Sequence, residues 1–335
     1  MSGLSVGVAG LGLGRHFALA LAKSPLVGRI EICDPDPDRR SKLRGECERI
    51  AADHAGLEEM LAAGRLDAVC VVTPDSMHRP HSERCFEAGC HVLQTKPLAC
   101  TLPDADAIVR AAERAGRTLM VAHERRFRAR TRAIRAILDA GGIGEIIHLR
   151  IDAFSDKREQ FRRAPWYASE EAGRSAIVGT GIHEVDLLRH FAGRPVEAVS
   201  AFGNRLGALA FPRDKTTAAI FRFEGGAIGQ VTVSFEARFP PRGKPSDSLQ
   251  ILGTKGMIAD GRVFAEGQDG WAPLPDDARP LAAGVEGCVE AFVGAVSSGR
   301  PSPVSGRDAF ESLAAGVAAD ESAAAGKAVS PRCLA

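Results

Sequence analysis

The sequence predicts an α/β protein: an N-terminal Rossmann-type, doubly wound parallel sheet, then an α/β domain built on a large, mostly antiparallel open sheet. Three observations carry this. Over the first 122 residues short apolar runs alternate with helical periodicity, the pattern of parallel strands joined by crossover helices. The run Leu66–Val72, apolar from Ala68 onward, reads as a strand buried on both faces. From Val196 to Leu252, alternating segments follow one another through turns with no helix between them, as in an antiparallel sheet. A chain of 335 residues holds two domains of ordinary size. The texture changes near residue 123, so residues 1–122 are expected to form the dinucleotide-binding domain. Residues 123–335 are expected to form the second α/β domain, with C-terminal helices able to pack back onto the first.

In order, Leu4–Ala9 is a strand, followed by a glycine-rich turn and the helix Phe17–Lys23. Arg29–Cys33 is a second strand closed by Asp34-Pro-Asp-Pro37, with a helix over Arg39–Arg49. A weaker strand at Ile50–Ala52 and a helix at Leu57–Ala63 precede Leu66–Val72, which Thr73-Pro74 ends. Helix His78–Ala88, strand His91–Gln94, helix Asp104–Ala115 and strand Thr118–Ala122 complete the alternation. Then come helix Ala129–Ala140 and strand Ile146–Phe154; residues 155–178 read as irregular, and a helix runs from Ile182 to Phe191. Strands follow at Val196–Ala201, Thr216–Phe223, Ala227–Phe235 and Ser248–Leu252, with Glu224-Gly-Gly226 as a hairpin turn. Two Ala-rich helices, Gly284–Ser297 and Asp308–Ala325, close the chain.

Composition excludes several classes of function. Lys and Arg number 43 against 42 Asp and Glu, leaving a formal charge of +1, with none of the basic excess that nucleic acid or an anionic membrane demands. The eight cysteines form no C-x-x-C pair, and several sit in apolar runs such as Ala68-Val-Cys-Val-Val72, so they read as buried thiols rather than disulfides or a metal site. No basic segment leading into an apolar stretch precedes the first strand, so a cytoplasmic location is expected.

Val6-Gly-Val-Ala-Gly-Leu-Gly-Leu-Gly14 is a strand entering a glycine turn and then a helix. Such a turn brings backbone close to a pyrophosphate and aims free N–H groups and the helix dipole at it. Gly10, Gly12, Leu13 and Gly14 are the residues expected there, although Arg15 stands where the third glycine of G-x-G-x-x-G belongs, which shortens the turn. Asp34 ends the second strand at the spacing where a carboxylate accepts the ribose hydroxyls. It would repel a 2′-phosphate, as would Asp36 and Asp38, so NAD is expected over NADP, with Arg39 and Arg40 opposing that preference.

Further motifs follow: Leu66-Asp-Ala-Val-Cys-Val-Val-Thr-Pro74, His78, Ala88-Gly-Cys-His-Val-Leu-Gln-Thr-Lys-Pro-Leu98, His123-Glu-Arg-Arg-Phe127, Gly142-Ile-Gly144 and Gly173-Arg-Ser-Ala-Ile-Val-Gly-Thr-Gly-Ile-His-Glu-Val-Asp186. Together, in this order, they resemble the Gfo/Idh/MocA oxidoreductases. The resemblance implies that residues 123–335 form a substrate-binding and oligomerisation domain. The resemblance implies that Lys96, the lysine of the family's E-K-P motif, lies beside the nicotinamide ribose and the reacting hydroxyl, and that Thr73, Pro74 and His78 line the cofactor. Thr95 replaces the family glutamate. His183 matches the histidine of D-x-x-x-H, suited to general acid or base work near neutral pH. Gly179 replaces that motif's aspartate, and Asp186, on the same helix face as His183, is the candidate to compensate. Arg126 is either a substrate contact or a salt bridge, and Trp166 and Tyr167 either line the pocket or pack in the core.

The expected function is hydride transfer between NAD and a secondary alcohol or ketone of a sugar, cyclitol or related polyol, by a homodimer or homotetramer formed through the C-terminal sheet. Two alternatives follow from the same resemblance: an enzyme that retains NAD through an internal redox cycle, and a catalytically silent nucleotide-sensing regulator.

Overall fold

A computed structural model describes residues 3–169, 175–240, 248–276 and 280–334. The chain divides into two compact units. The first runs up to Phe127 and takes in a late segment ending at Phe310; the second begins at Arg128 and includes Glu311–Leu334.

The first unit is built on β1 (Leu4–Ala9), β2 (Val27–Cys33), β3 (Ile50–His54), β4 (Ala68–Val71), β5 (His91–Thr95) and β6 (Leu119–Ala122). All pair in parallel in the order β3-β2-β1-β4-β5-β6, the dinucleotide-binding topology. The connecting helices are α1 (Gly14–Leu21), α2 (Pro37–Glu46), α3 (Leu57–Ala63), α4 (His78–Glu87) and α5 (Leu102–Ala115). β4 and β6 are buried along their whole length, which explains their unbroken apolar runs. Asp36 starts α2 by accepting from the amides of Asp38 and Arg39, with Pro37 as the first helical residue. Thr101 caps α5, and Gly116 ends it at φ 62°.

The second unit opens with α6 (Ala129–Asp139) and β7 (Ile146–Phe154). Residues read from sequence as irregular contain two short helices, α7 (Arg158–Arg163) and α8 (Ala176–Gly179), and a 3-10 turn at Pro165–Ala168. These are too short to carry a periodicity. After α9 (Ile182–Ala192) come β8 (Val196–Asn204), β9 (Thr216–Phe223), β10 (Ile228–Ser234), β11 (Gln250–Gly253), β12 (Gly256–Ala259), β13 (Arg262–Ala265) and β14 (Ala272–Pro273). The sheet order is β14-β13-β12-β11-β7-β10-β9-β8, antiparallel except between β7 and β10. The predicted hairpin joins β9 to β10, with Gly225 and Gly226 at φ 84° and 93°, a region side chains rarely enter. One face of the sheet is buried through Leu149, Val199, Phe221, Val231 and Ile251. The other presents Phe154, Phe202, Ile220, Ile228 and Leu252 to solvent.

Two long helices finish the chain, α10 (Pro280–Ser298) in the first unit and α11 (Gly306–Ala325), which begins in the first and continues in the second. By length and composition alone α10 would cross a membrane. Its Val285, Cys288, Phe292 and Val293 are buried and it packs along α1, so within this unit it is a core helix. Six of the eight cysteines are buried, and burial pushes the thiols of Cys33 and Cys70 up to about 12.

Candidate active site

In a doubly wound sheet the ligand edge is the one where strands end. Gly10 follows β1 at φ 86°, and a Cβ there would lie 2.6 Å from the carbonyl oxygen of Val72, so only glycine turns the chain at this point. A Cβ added at Gly12 would meet only the Arg39 guanidinium, at 4.0 Å. Gly14 opens α1 against Val8 and Val72. Leu13, the N-cap residue, is half exposed and supplies no side-chain cap, and the first turn of α1 holds no acid. The helix dipole is therefore left for an external anion.

Asp34 stands at the end of β2, 4% exposed. Its Oδ2 accepts from the Leu11 amide at 2.7 Å and its Oδ1 from the Asp36 amide at 2.9 Å, which ties the carboxylate to the glycine turn. A carboxylate has about four lone-pair sites, so both oxygens keep capacity for ribose hydroxyls. Arg39 lies 3.6 Å from Asp34 Oδ2 and 3.3 Å from Asp36. It is the group that would moderate repulsion of a 2′-phosphate. An open glycine turn, an uncapped helix start and an anchored carboxylate together fit an adenine dinucleotide.

Asp34→Ala is expected to raise the NAD dissociation constant about tenfold to a hundredfold, as loss of a hydrogen bond to a charged group of about 1.5–3 kcal/mol dictates. The preference over NADP should narrow. Titration calorimetry with both nucleotides checks it, and two unchanged constants would show that another group reads the ribose.

Thr73 and Pro74 follow β4, and a 3-10 turn at Asp75–Met77 leads into His78, whose side chain is fully buried. Lys96 follows β5 directly, half-buried, with a cis bond to Pro97. Gly10, Asp34, Thr73 and Lys96 thus come from the ends of four neighbouring strands onto one edge of the sheet. Arg126, in the same unit, is buried and pairs with Asp308 at 2.6 Å.

In the second unit His183 lies in the first turn of α9, 9% exposed. Asp186, one turn on, is 1% exposed and accepts from Ser312 Oγ at 3.0 Å; Ser312 in turn accepts from Arg189 at 2.7 Å. Sequence reasoning missed Ser312 because it lies 126 positions away on α11. Trp166 and Tyr167 stack on each other with ring centroids 3.8 Å apart. Tyr167 lines a small cavity with Lys157, Gly179, Thr180, Phe211 and Phe235. Gly173 and Arg174 of the altered glycine motif lie outside the described residues; Ser175 is described and caps α8, accepting from the Val178 amide at 3.1 Å.

Asp320 of α11 was equally invisible to local pattern. Burial pushes its carboxyl up to about 6, against the hydrogen bond from Ser175 and the charge of Arg213. Its pKa in the fold therefore exceeds its unfolded value near 4, and the native state binds the proton more tightly. This contribution to stability is complete below about pH 4 and is lost as pH rises through 6. Asp320→Asn, uncharged throughout and still able to accept from Ser175, is expected to gain on the order of 2 kcal/mol over the wild type at pH 8 and little at pH 4. Urea unfolding at both pH values measures this, and equal differences at the two would contradict it.

The parallel sheet, the glycine turn and the anchored acid define a dinucleotide-binding protein of the Rossmann fold. Residues 4–123 match the oxidoreductase family with an NAD-binding Rossmann fold, and residues 131–259 match the GFO/IDH/MocA C-terminal domain. The chain belongs to the Gfo/Idh/MocA family of NAD-dependent oxidoreductases. It is 32% identical to 1,5-anhydro-D-fructose reductase of Ensifer adhaerens over 284 residues, 81% of this chain and 82% of that one. It is 30% identical to D-apiose dehydrogenase of Rhizobium rhizogenes over 317 residues, 90% of each. Among solved structures, an oxidoreductase from Agrobacterium radiobacter in complex with NAD+, L-tartaric acid and magnesium superposes with a TM-score of 0.87 at 26% identity, covering 98% of each chain.

Proposed function

We propose that the protein transfers a hydride between NAD and a secondary hydroxyl or ketone carbon of a sugar, cyclitol or related polyol. The observation that carries this is the convergence of Gly10, Asp34, Thr73 and Lys96 on one edge of the parallel sheet. It sets a chemically competent lysine on the edge that grips the nucleotide. The names of the similar proteins, a reductase of an anhydro sugar and a dehydrogenase of a branched sugar, support the substrate class.

NAD, when bound, supplies the hydride acceptor at its nicotinamide ring. The chain's own task is alignment and proton handling. Lys96 polarises the reacting oxygen, and a nearby cationic ring would disfavour its ammonium form and so ease proton exchange. His183 takes the hydroxyl proton in the oxidative direction and returns it in the reductive one. Asp186 steadies the α9 turn that carries His183 through Ser312. Trp166 and Tyr167 offer a stacked apolar wall for the carbon face of a polyol.

The outward face of the eight-stranded sheet, with Phe202 80% exposed among four further large apolar residues, fits a second copy of the chain, so a homodimer or homotetramer through this sheet is part of the reading. A cytoplasmic location accords with the buried free thiols.

The test is incubation of purified protein with NAD and a panel of sugars and cyclitols while NADH absorbance is followed. Net NADH with at least one substrate is the expected result. Product without net NADH would replace this reading with an internal redox cycle, and nucleotide binding without turnover would replace it with a regulator.

A further inference from the structure

Lys96 sits in a turn that a buried histidine holds from the side. His78, buried to 0% exposure at the start of α4, sits between two backbone segments. Its Nδ1 lies 2.9 Å from the carbonyl oxygen of Pro97, and its Nε2 lies 3.1 Å from that of Thr73. One carbonyl belongs to the residue after Lys96, the other to the segment that follows β4. Around the ring, Thr95 Oγ1 stands 3.3 Å from Nε2 and 3.4 Å from the Val71 carbonyl. Gln94 donates to the Leu98 carbonyl at 2.6 Å, lies 3.2 Å from His78 Nδ1, and accepts from Ser82 Oγ at 2.8 Å. His81 Nδ1 stands 3.1 Å from Thr73 Oγ1. A neutral imidazole donates to one of its carbonyls at a time, the protonated ring to both. In each form the ring is the physical link between the two segments.

We propose that His78 is a positioning residue that couples the Thr73 segment to the Lys96–Pro97 turn, with Thr95 against its ring. The turn that carries Lys96 is thereby placed through the backbone of Pro97. The inference rests on Lys96 acting as proposed above, but half of its test does not.

The two contacts can be separated because asparagine places an amide near the position of Nδ1 and glutamine near that of Nε2. His78→Gln keeps a donor for Thr73 and loses the one for Pro97; His78→Asn does the reverse. Hydrogen exchange by mass spectrometry on the protein without nucleotide should show faster exchange in peptides spanning Thr95–Thr101 for His78→Gln only, and in peptides spanning Thr73–Met77 for His78→Asn only. With a substrate in hand, His78→Gln should lower kcat about tenfold to a hundredfold, as misplacement of a reacting group does, with the NAD Kd within about threefold. His78→Asn should instead raise the NAD Kd about threefold to tenfold, the worth of about one hydrogen bond. Both variants loosening both segments alike would reduce His78 to a general core residue and overturn the proposal. So would undiminished kcat in His78→Gln with its Thr95–Thr101 segment loosened. The exchange pattern needs no turnover, so failure to find a substrate would count against the proposed reaction and not against this link.

Discussion

Replacing Lys96 by alanine is expected to lower turnover about a hundredfold to ten-thousandfold, the range a positioned acid–base group supplies, while leaving NAD affinity within about threefold. The separation follows from where the groups sit. The proposed nucleotide site is the backbone at Gly10–Gly14 after β1 and Asp34 after β2, whereas Lys96 follows β5, separated from β2 by β1 and β4 in the sheet order. Removing its side chain leaves the Leu11 and Asp36 amides on Asp34 untouched. Arginine should not rescue it, because a guanidinium stays protonated and cannot exchange a proton with the substrate. Steady-state kinetics with the substrate found by the panel, together with calorimetry on the variant, measures both halves. Activity unchanged in Lys96→Ala would remove this lysine from the mechanism.

Gly10→Ala should be the most damaging single methyl in the nucleotide turn. Two costs add: an L-residue at φ 86° is disfavoured by about 1–2 kcal/mol, and the new Cβ would stand 2.6 Å from the Val72 carbonyl, an overpacking of about 1–3 kcal/mol against backbone that cannot rotate away. A loss of about 2–5 kcal/mol in unfolding free energy is expected, with NAD affinity reduced at least about tenfold because the turn itself is displaced. Gly116→Ala separates the terms: Gly116 also has a positive φ, 62°, but its Cβ would meet nothing within 4 Å. It should cost only about 1 kcal/mol and leave NAD binding intact. Denaturant unfolding and calorimetry on the pair check the comparison, and equal losses in both would show that conformation alone, not the approach to Val72, demands glycine at position 10.

The first unit was legible because its signals are local. Unbroken apolar runs at β4 and β6 mark strands buried on both faces, and glycine and aspartate mark strand ends by spacing. The second unit was less so. Strands β12–β14 are four residues or fewer and were absent from the sequence reading, as were α7 and α8, because such lengths hold no periodicity to detect. The parallel β7–β10 pair is likewise a long-range choice that no local pattern states. For the candidate site, types and spacings proposed Lys96, His183 and Asp34, but could not indicate the long-range contacts around such residues. Ser312 reaches Asp186 from 126 residues away, and Asp320 meets Ser175 from the far end of the chain. Arg126 illustrates the limit: motif matching proposed a contact or a salt bridge with equal force, and the ion pair to Asp308 is visible only in the fold.

The most direct test of the account is calorimetric titration of NAD into protein freed of any nucleotide it carried through purification. Saturable one-site binding with micromolar affinity, tighter than for NADP, is the predicted result; heat no greater than dilution for both nucleotides at millimolar concentration would contradict it.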